Sequence, residues 1–215
     1  MSVRRAPKPA QRLRREAQEH LRSAYQEAIL DAARRVFERV GLYEARMADI
    51  AHEVGVSVGT LYNYFESKEQ VVDALAQRER EQFALVLAEA RAQGEPLDRV
   101  RVTVHATLVF VEQRGALFAT YTRLGMANEM DLKRVGGREC FDGYVRLLAV
   151  LEEDLELACQ AGQIRADIPP RLLAAAVGGL LNAMMFTWLQ DGRRESLVAR
   201  EPLLLDLFMK GAARS

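Results

Sequence analysis

The sequence predicts an all-α protein: a small N-terminal three-helix unit joined to a larger helical one. Two observations carry this. Apolar residues recur at offsets of three, four and seven along nearly the whole chain, the signature of helices with one buried face. Between those stretches stand residues that start helices (Ser57, Ser67, Pro169-Pro170) or stop them (Gly41, Gly55, Gly94, Gly162). Only 97–113 is ambiguous. Val100, Val102 and Val104 alternate like a strand, yet Val100, Val104, Leu108 and Val111 share a helical face. With helical segments on both sides and no partner strand, helix is the reading.

The elements follow in chain order. Residues 1–22 carry Arg4, Arg5, Lys8, Arg12, Arg14, Arg15 and Arg22 against only Glu16 and Glu19, and read as a disordered basic arm. Such an arm either follows phosphates and reaches a minor groove, or is simply a solvated tail. From Tyr25, the residues Ile29, Ala32, Ala33, Val36, Phe37 and Val40 fall on one helical face, with Gly41 as the stop. Met47, Ile50, Ala51 and Val54 predict a short second helix ending at Gly55, and Val58–Tyr64 a third with Ser57 as its N-cap. Ser67-Lys68-Glu69-Gln70 fits a capping box that opens a long helix toward Gln93. Further helices are expected over 97–113, between Gly115 and Gly125, from Asp131 or Glu139 to Ala161, over 172–189, and from Leu203 to Met209. Domain bounds are placed at 1–22, 23–68 and 69–215, the last break falling in the long helix.

Bulk properties exclude several classes. With 215 residues, 49% hydrophobic and 28% charged, the chain has the composition of a soluble globular protein. Net charge is zero, so attraction to a polyanion must come from local placement. Cys140 and Cys159 form no Cys-x-x-Cys pair, and His20, His52 and His105 do not cluster; no metal site or disulfide framework is expected, and a reduced cytoplasmic setting fits. Charge occupies the N-terminus where a signal peptide needs an apolar stretch. The uncharged run 172–189 reaches the lower length of a membrane span, but a buried helix at a subunit interface explains it as well and is preferred. No Gly-x-Ser-x-Gly elbow, phosphate-binding glycine loop or His-Glu-x-x-His pair is present, so neither an enzyme nor a cofactor is expected.

The segment 46–68, RMADIAHEVGVSVGTLYNYFESK, carries the chemistry. Gly55 sits where the chain reverses between two short helices, and Leu61 and Phe65 are expected inward. The other face of the second helix shows Val58, Gly59, Thr60, Tyr62, Asn63 and Tyr64, an odd set for a core but a suitable one for a major groove. Gly59 admits a close backbone approach. Thr60 and Tyr62 can donate to phosphates, and Asn63 and Tyr64 can reach base edges or thymine methyls.

Residues 25–72 resemble the N-terminal domain of TetR-family transcriptional regulators. The resemblance rests on Ile29-x-x-Ala32-Ala33-x-x-x-Phe37, Gly41, Asp49-Ile50-Ala51, Gly55-Val56-Ser57-x-Gly59-Thr60-Leu61-Tyr62-x-Tyr64-Phe65 and Ser67-Lys68-Glu69. It implies an all-helical homodimer whose larger domain binds a ligand and dimerises. It also implies a repressor released from a palindromic DNA operator by that ligand. On this resemblance Ser57, Val58, Gly59 and Thr60 open the recognition helix. Tyr62 and Lys68 match positions that hold the DNA backbone, and Asn63 and Tyr64 match positions near bases or backbone. Where the family often has Thr this chain has Arg46, whose charge would replace a lost hydroxyl cap with a phosphate contact.

The larger domain offers only candidates. For the wall of an apolar effector pocket they are Phe110, Phe118, Tyr121, Phe141, Tyr144, Met185 and Trp188, with His105, Arg123 and Asn182 as polar contacts. In the family's layout the helices near 170–190 and 198–212 pair across a twofold axis. Leu172, Ala176, Val177, Leu180, Leu181 and Met184 are expected there, with Gly178-Gly179 allowing close approach. The alternative is a DNA-binding regulator without a small-molecule effector, controlled by a protein partner or acting as an activator.

Overall fold

A computed structural model describes the backbone of residues 9–127 and 137–212, and the side chains of residues 13, 16–114 and 143–211. The described residues are helical or lie in turns, without strands. The helices are α1 (Pro9–Val40), α2 (Met47–Val54), α3 (Val58–Tyr62), α4 (Lys68–Ala90), α5 (Pro96–Ala127), α6 (Gly137–Gln160), α7 (Pro170–Gln190) and α8 (Glu201–Ala212), with a 3-10 turn at Val198–Arg200. The chain divides into two compact units, residues 1–71 and 72–215, and the division falls within α4.

The first unit is a three-helix arrangement in which α1 packs on α2 and α2 on α3. Its core is the face read from periodicity: Ile29, Ala32, Ala33, Val36 and Phe37 of α1, Ile50 and Ala51 of α2, and Leu61 beyond the turn are buried. Residues 9–22, expected as part of a disordered arm, are instead the opening turns of α1. The physical reason lies in the residues themselves. Ala, Gln, Arg, Leu and Glu are strong helix formers, and Pro9 suits a first turn, so the helix propagates backwards from its anchored half. Residues 1–8 of that arm lie outside the described residues.

The second unit buries Val100, Val104, Leu108 and Val111 of α5 against Leu151 and Leu155 of α6 and Val177 and Leu181 of α7. The segment 97–113 is therefore helical, as its long-period face requires. α5 runs on to Ala127 but is kinked at Arg114, where φ is −121° and ψ 17°. A buried ionic cluster ties α5 and α6 to the turn that follows α4. Asp154 is fully buried; Arg91 grips it with Nε at 2.7 Å and Nη2 at 2.8 Å, and Arg99 stands 3.1 Å away. Donating to the Asp154 carboxylate raises the Arg91 pKa above its ordinary value.

α7 is the one described helix long and apolar enough to cross a membrane. It packs on α5, α6 and α8, with Leu173, Ala174, Val177, Gly178, Leu181, Met184, Met185 and Trp188 buried. Gly178 permits this packing. A Cβ there would come 2.6 Å from Leu148 Cδ2 and 2.8 Å from the Tyr144 hydroxyl.

Candidate nucleic-acid interface

The turn of the helix-turn-helix is built from backbone hydrogen bonds. Gly55 adopts φ 81° and ψ 31°, the left-handed conformation that costs a residue with a Cβ about 1–2 kcal/mol. Its N–H donates to the His52 carbonyl at 3.1 Å, and the Val56 N–H to the Ala51 carbonyl at 3.0 Å. This Schellman closure satisfies the last carbonyls of α2 and reverses the chain. Ser57 then caps α3: its Oγ accepts the Thr60 N–H at 3.0 Å and lies 2.8 Å from Thr60 Oγ1. α2 is held to α1 from the other side by Glu53, which accepts from Arg35 at 2.9 Å and Arg39 at 3.1 Å. Those two hydrogen bonds hold the Glu53 carboxyl below its ordinary pKa.

What remains on the outer side of α3 is a row with no packing duty. Ser57, Gly59 and Asn63 are exposed, Val58 is 40% exposed and Tyr62 49%. Thr60 is half-buried and its hydroxyl faces Ser57, so it serves the cap first. Arg46 precedes α2 and is exposed, with no side-chain cap bond. The missing hydroxyl cap is offset by Asp49, whose Oδ2 accepts the Arg46 N–H at 2.8 Å, one half of a capping box. The Arg46 guanidinium is thereby left to solvent at the helix start.

Two expectations at this interface are corrected. α3 ends at Tyr62, not at residue 64, and Asn63 and Tyr64 form the turn that follows. Tyr64 does not face outward with the row. Its ring stacks on Tyr25 of α1, with centroids 5.8 Å apart and planes 23° from parallel, because a residue past the helix end leaves the helical face. Lys68 is the second correction. Its ammonium donates to the carbonyls of Leu42, Tyr43 and Ala45 at 3.0, 3.1 and 3.1 Å. An ammonium has three donors, so all three are used within the protein. Lys68 clamps the α1–α2 loop. At the start of α4 the Ser67 cap on the Gln70 N–H is present at 3.3 Å, but the Gln70 side chain reaches the Glu66 N–H, one residue beyond the expected partner.

Among the described residues, the candidate pocket residues line neither described cleft. His105 is exposed, with Nδ1 2.6 Å from Glu201 Oε2 of α8, and Asn182 is exposed on α7. Phe110 is buried against Phe83, centroids 4.7 Å apart, under the Arg114 guanidinium at 4.2 Å. Arg114 is in turn paired with Glu79 of α4. Met185 and Trp188 belong to the core, and the Trp188 indole donates to the Glu195 carbonyl at 2.6 Å. Tyr144 is half-buried against Gly178. Aromatic and methionine residues at helical spacing fill the bundle, which is why their presence did not mark a cavity. The side chains of Phe118, Tyr121, Arg123 and Phe141 lie outside the described residues. The apolar cleft that the structure does contain, about 320 Å³ between α4 and α6, is lined by none of the described candidates. Its residues Ala84, Leu87 and Ala88 on α4, Arg91 just past its end, and Gly143, Leu147 and Val150 on α6 are spaced by three and four. That pattern was visible in the sequence, but it is equally that of any packed face.

The candidate interface residues divide in two. Val177, Leu181 and Met184 face the core, whereas Leu172 (59% exposed) and Ala176 face outward and Leu180 is half-buried. A helix apolar all round carries no signal for which stripe turns inward. The outward stripe continues through Gly179 and Ala183, and α8 adds Leu203 and Leu207, 57% and 51% exposed.

An exposed polar row on a short, capped helix behind a Schellman turn defines a helix-turn-helix DNA-binding protein. The model of the family described as bacterial regulatory proteins, tetR family, matches residues 29–75. The chain is 25% identical over 190 residues to the fatty acid metabolism regulator protein of Bacillus subtilis, covering 85% of this chain and 93% of that one. Its fold is similar to that of the Bacillus subtilis transcriptional regulator FadR in complex with stearoyl-CoA, with TM-score 0.72, 24% identity, and coverage of 86% and 98%. It is also similar to SmeT of Stenotrophomonas maltophilia in complex with triclosan, with TM-score 0.71, 22% identity, and coverage of 89% and 93%. Residues 29–75 are thus the DNA-binding domain of the TetR family of transcriptional regulators, and the whole chain is similar in sequence to bacterial transcriptional regulators.

Proposed function

We propose that this chain is a repressor that leaves a palindromic operator when a small, mainly apolar ligand binds the 72–215 unit, and that it works in the cytoplasm as a homodimer. The observation that carries the DNA half is the exposed row Val58, Gly59, Tyr62 and Asn63, set directly after the Ser57 cap. The Gly59 backbone and the start of α3 admit a close phosphate, Tyr62 donates to the backbone, and Asn63 is the residue with a bidentate amide for an adenine edge. The outward stripe of α7 and the exposed leucines of α8 support an isologous interface of apolar and small residues. Two such recognition helices about 34 Å apart would read a palindrome. That a relative is a fatty acid metabolism regulator, and that structural neighbours hold stearoyl-CoA or triclosan, supports an apolar effector. Those relatives are named as regulators, which supports a role without catalysis.

The test is a mobility shift of the full chain on duplex DNA from upstream of its own gene. A shift that survives excess unrelated DNA at moderate salt, and is reversed by an apolar ligand, is expected. Binding no tighter than to unrelated duplex at every salt concentration would defeat the operator reading.

A further inference from the structure

Upstream of Tyr25, α1 leaves the core. Among the described residues of α1 the first buried one is Ile29, and every position from 17 to 24 is exposed. The turns from Pro9 to Ala24 extend ~24 Å at about 1.5 Å per residue. Helical register defines the face that this overhang continues. Ile29, Ala32 and Val36 form the buried seam of α1. Alternate intervals of four and three carry that seam upstream through Tyr25, Arg22, Gln18, Arg15 and Gln11. Beyond Tyr25 the seam holds no acid and no aliphatic residue. Glu16 and Glu19 stand off it, as do the exposed Leu13 and Leu21. Tyr25 also fixes where the seam goes. Its stack on Tyr64 brings the seam beside the turn that ends α3, next to Asn63 of the recognition row. One turn upstream, Arg22 is exposed, and among the described residues no acceptor engages it. Arg34, Arg35, Arg39 and Lys68 are all committed inside the unit. A seam of Arg and Gln cannot bury against a protein as its downstream half does, because each guanidinium would need its own acceptor. A row of phosphates supplies those acceptors, and guanidinium and amide both donate to them. A lipid surface carries phosphates too, but it would take up the leucines, which are off the seam.

We propose that the overhanging turns of α1 are a second DNA-binding surface, which grips the phosphate backbone beside the site read by α3, with Arg22 nearest that site and Arg15 two turns further out. The proposal rests on the DNA-binding reading above for the placement of α3, and on the seam alone for the contact itself. An overhang of ~24 Å spans about seven base pairs at ~3.4 Å each, so the contact widens the bound stretch without reading its sequence.

The experiment measures the affinity of the full chain for a long-flanked operator duplex across a salt series, with hydroxyl-radical footprinting of the same complex. Arg15→Gln/Arg22→Gln keeps the helix, since Gln and Arg propagate it about equally well. The slope of log affinity against log salt should shrink by about 0.9 for each arginine. Over an about fourfold rise in salt, the variant should therefore lose roughly tenfold less affinity than the parent. Protection of the flanking backbone should fade, while protection under α3 stays. Arg15→Lys/Arg22→Lys should restore both, because a phosphate contact needs the charge. Backbone contact is blind to sequence, so the same slope difference is expected on unrelated duplex. An unchanged slope and footprint in the Gln variant would overturn the proposal. A Gln variant that binds both duplexes like the parent, but no longer sediments with phosphatidylglycerol vesicles as the parent does, would also overturn it and give the overhang to a membrane surface. A slope difference in a chain with no operator preference would sink the operator reading and leave this surface standing; operator preference with no slope difference would do the reverse.

Discussion

Replacing Lys68 by methionine keeps the length of the side chain and removes its three donors. The carbonyls of Leu42, Tyr43 and Ala45 then lose bonds of 3.0, 3.1 and 3.1 Å, two of them part-buried and one exposed. A hydrogen bond to a charged group contributes about 1.5–3 kcal/mol, but bonds from one ammonium are not additive, and water can reach the exposed carbonyl. The expected cost to the 1–71 unit is about 2–4 kcal/mol. For a domain of this size each kcal/mol moves Tm by roughly 4–8 °C, so a fall of about 10 °C or more is expected. Hydrogen exchange followed by mass spectrometry reads it directly, as lost protection in α2 and α3. Trp188 is the single tryptophan and lies in α7, so its fluorescence reports the other unit and should not change. DNA affinity should fall in step with the lost protection. Unchanged protection, with weaker DNA binding and a salt slope smaller by about 0.9, would refute the clamp and make Lys68 a phosphate ligand.

Four further outcomes follow from the same structure. Asn63→Ala should leave Tm within about 0.5 kcal/mol of stability and cost about 1–3 kcal/mol on the preferred operator, with smaller losses on operators changed at the contacted base; a uniform loss across operator variants in a mobility shift would refute base contact. Tyr62→Phe should instead weaken all sequences alike if its exposed hydroxyl addresses the DNA backbone as proposed, and sequence-dependent losses in the same assay would contradict that. Leu203→Glu/Leu207→Glu should keep the helical circular dichroism of the folded chain and yield monomers in sedimentation velocity, because both leucines are more than half exposed; a persistent dimer would place the interface elsewhere. Glu53 has its folded pKa lowered by Arg35 and Arg39, so its contribution is present above the unfolded carboxylate pKa of ~4.3 and is lost as pH falls through the folded value. Glu53→Gln should therefore flatten the acid limb of α2 protection measured by hydrogen exchange, and an unchanged limb would remove this pair as its cause.

The ionic cluster at Asp154 shows how buried charge can be hidden in a sequence. Asp154 stands in an acidic run with Glu152 and Glu153, which by composition is a solvated helix face. Its full burial depends on α4 and α5 bringing Arg91 and Arg99 to it, contacts separated by 63 and 55 positions.

The sequence by itself determined the helices, because their period of 3.6 is a local property that apolar spacing and capping residues record directly. It determined the turn at Gly55, the cap at Ser57 and the buried faces of α1 and α2 for the same reason. Of the outer row, Val58, Gly59, Tyr62 and Asn63 were legible as exposed, since residues unsuited to a core reveal an outer face, whereas Thr60 turned to the cap and Tyr64 to Tyr25. Tertiary structure alone decided what Lys68, Tyr64 and His105 do. Each is a long or aromatic side chain whose partner lies on another element, at Leu42–Ala45, Tyr25 and Glu201. It alone also decided which side of α7 faces the core. That helix is apolar around its whole circumference, and only the positions of its neighbours break the symmetry.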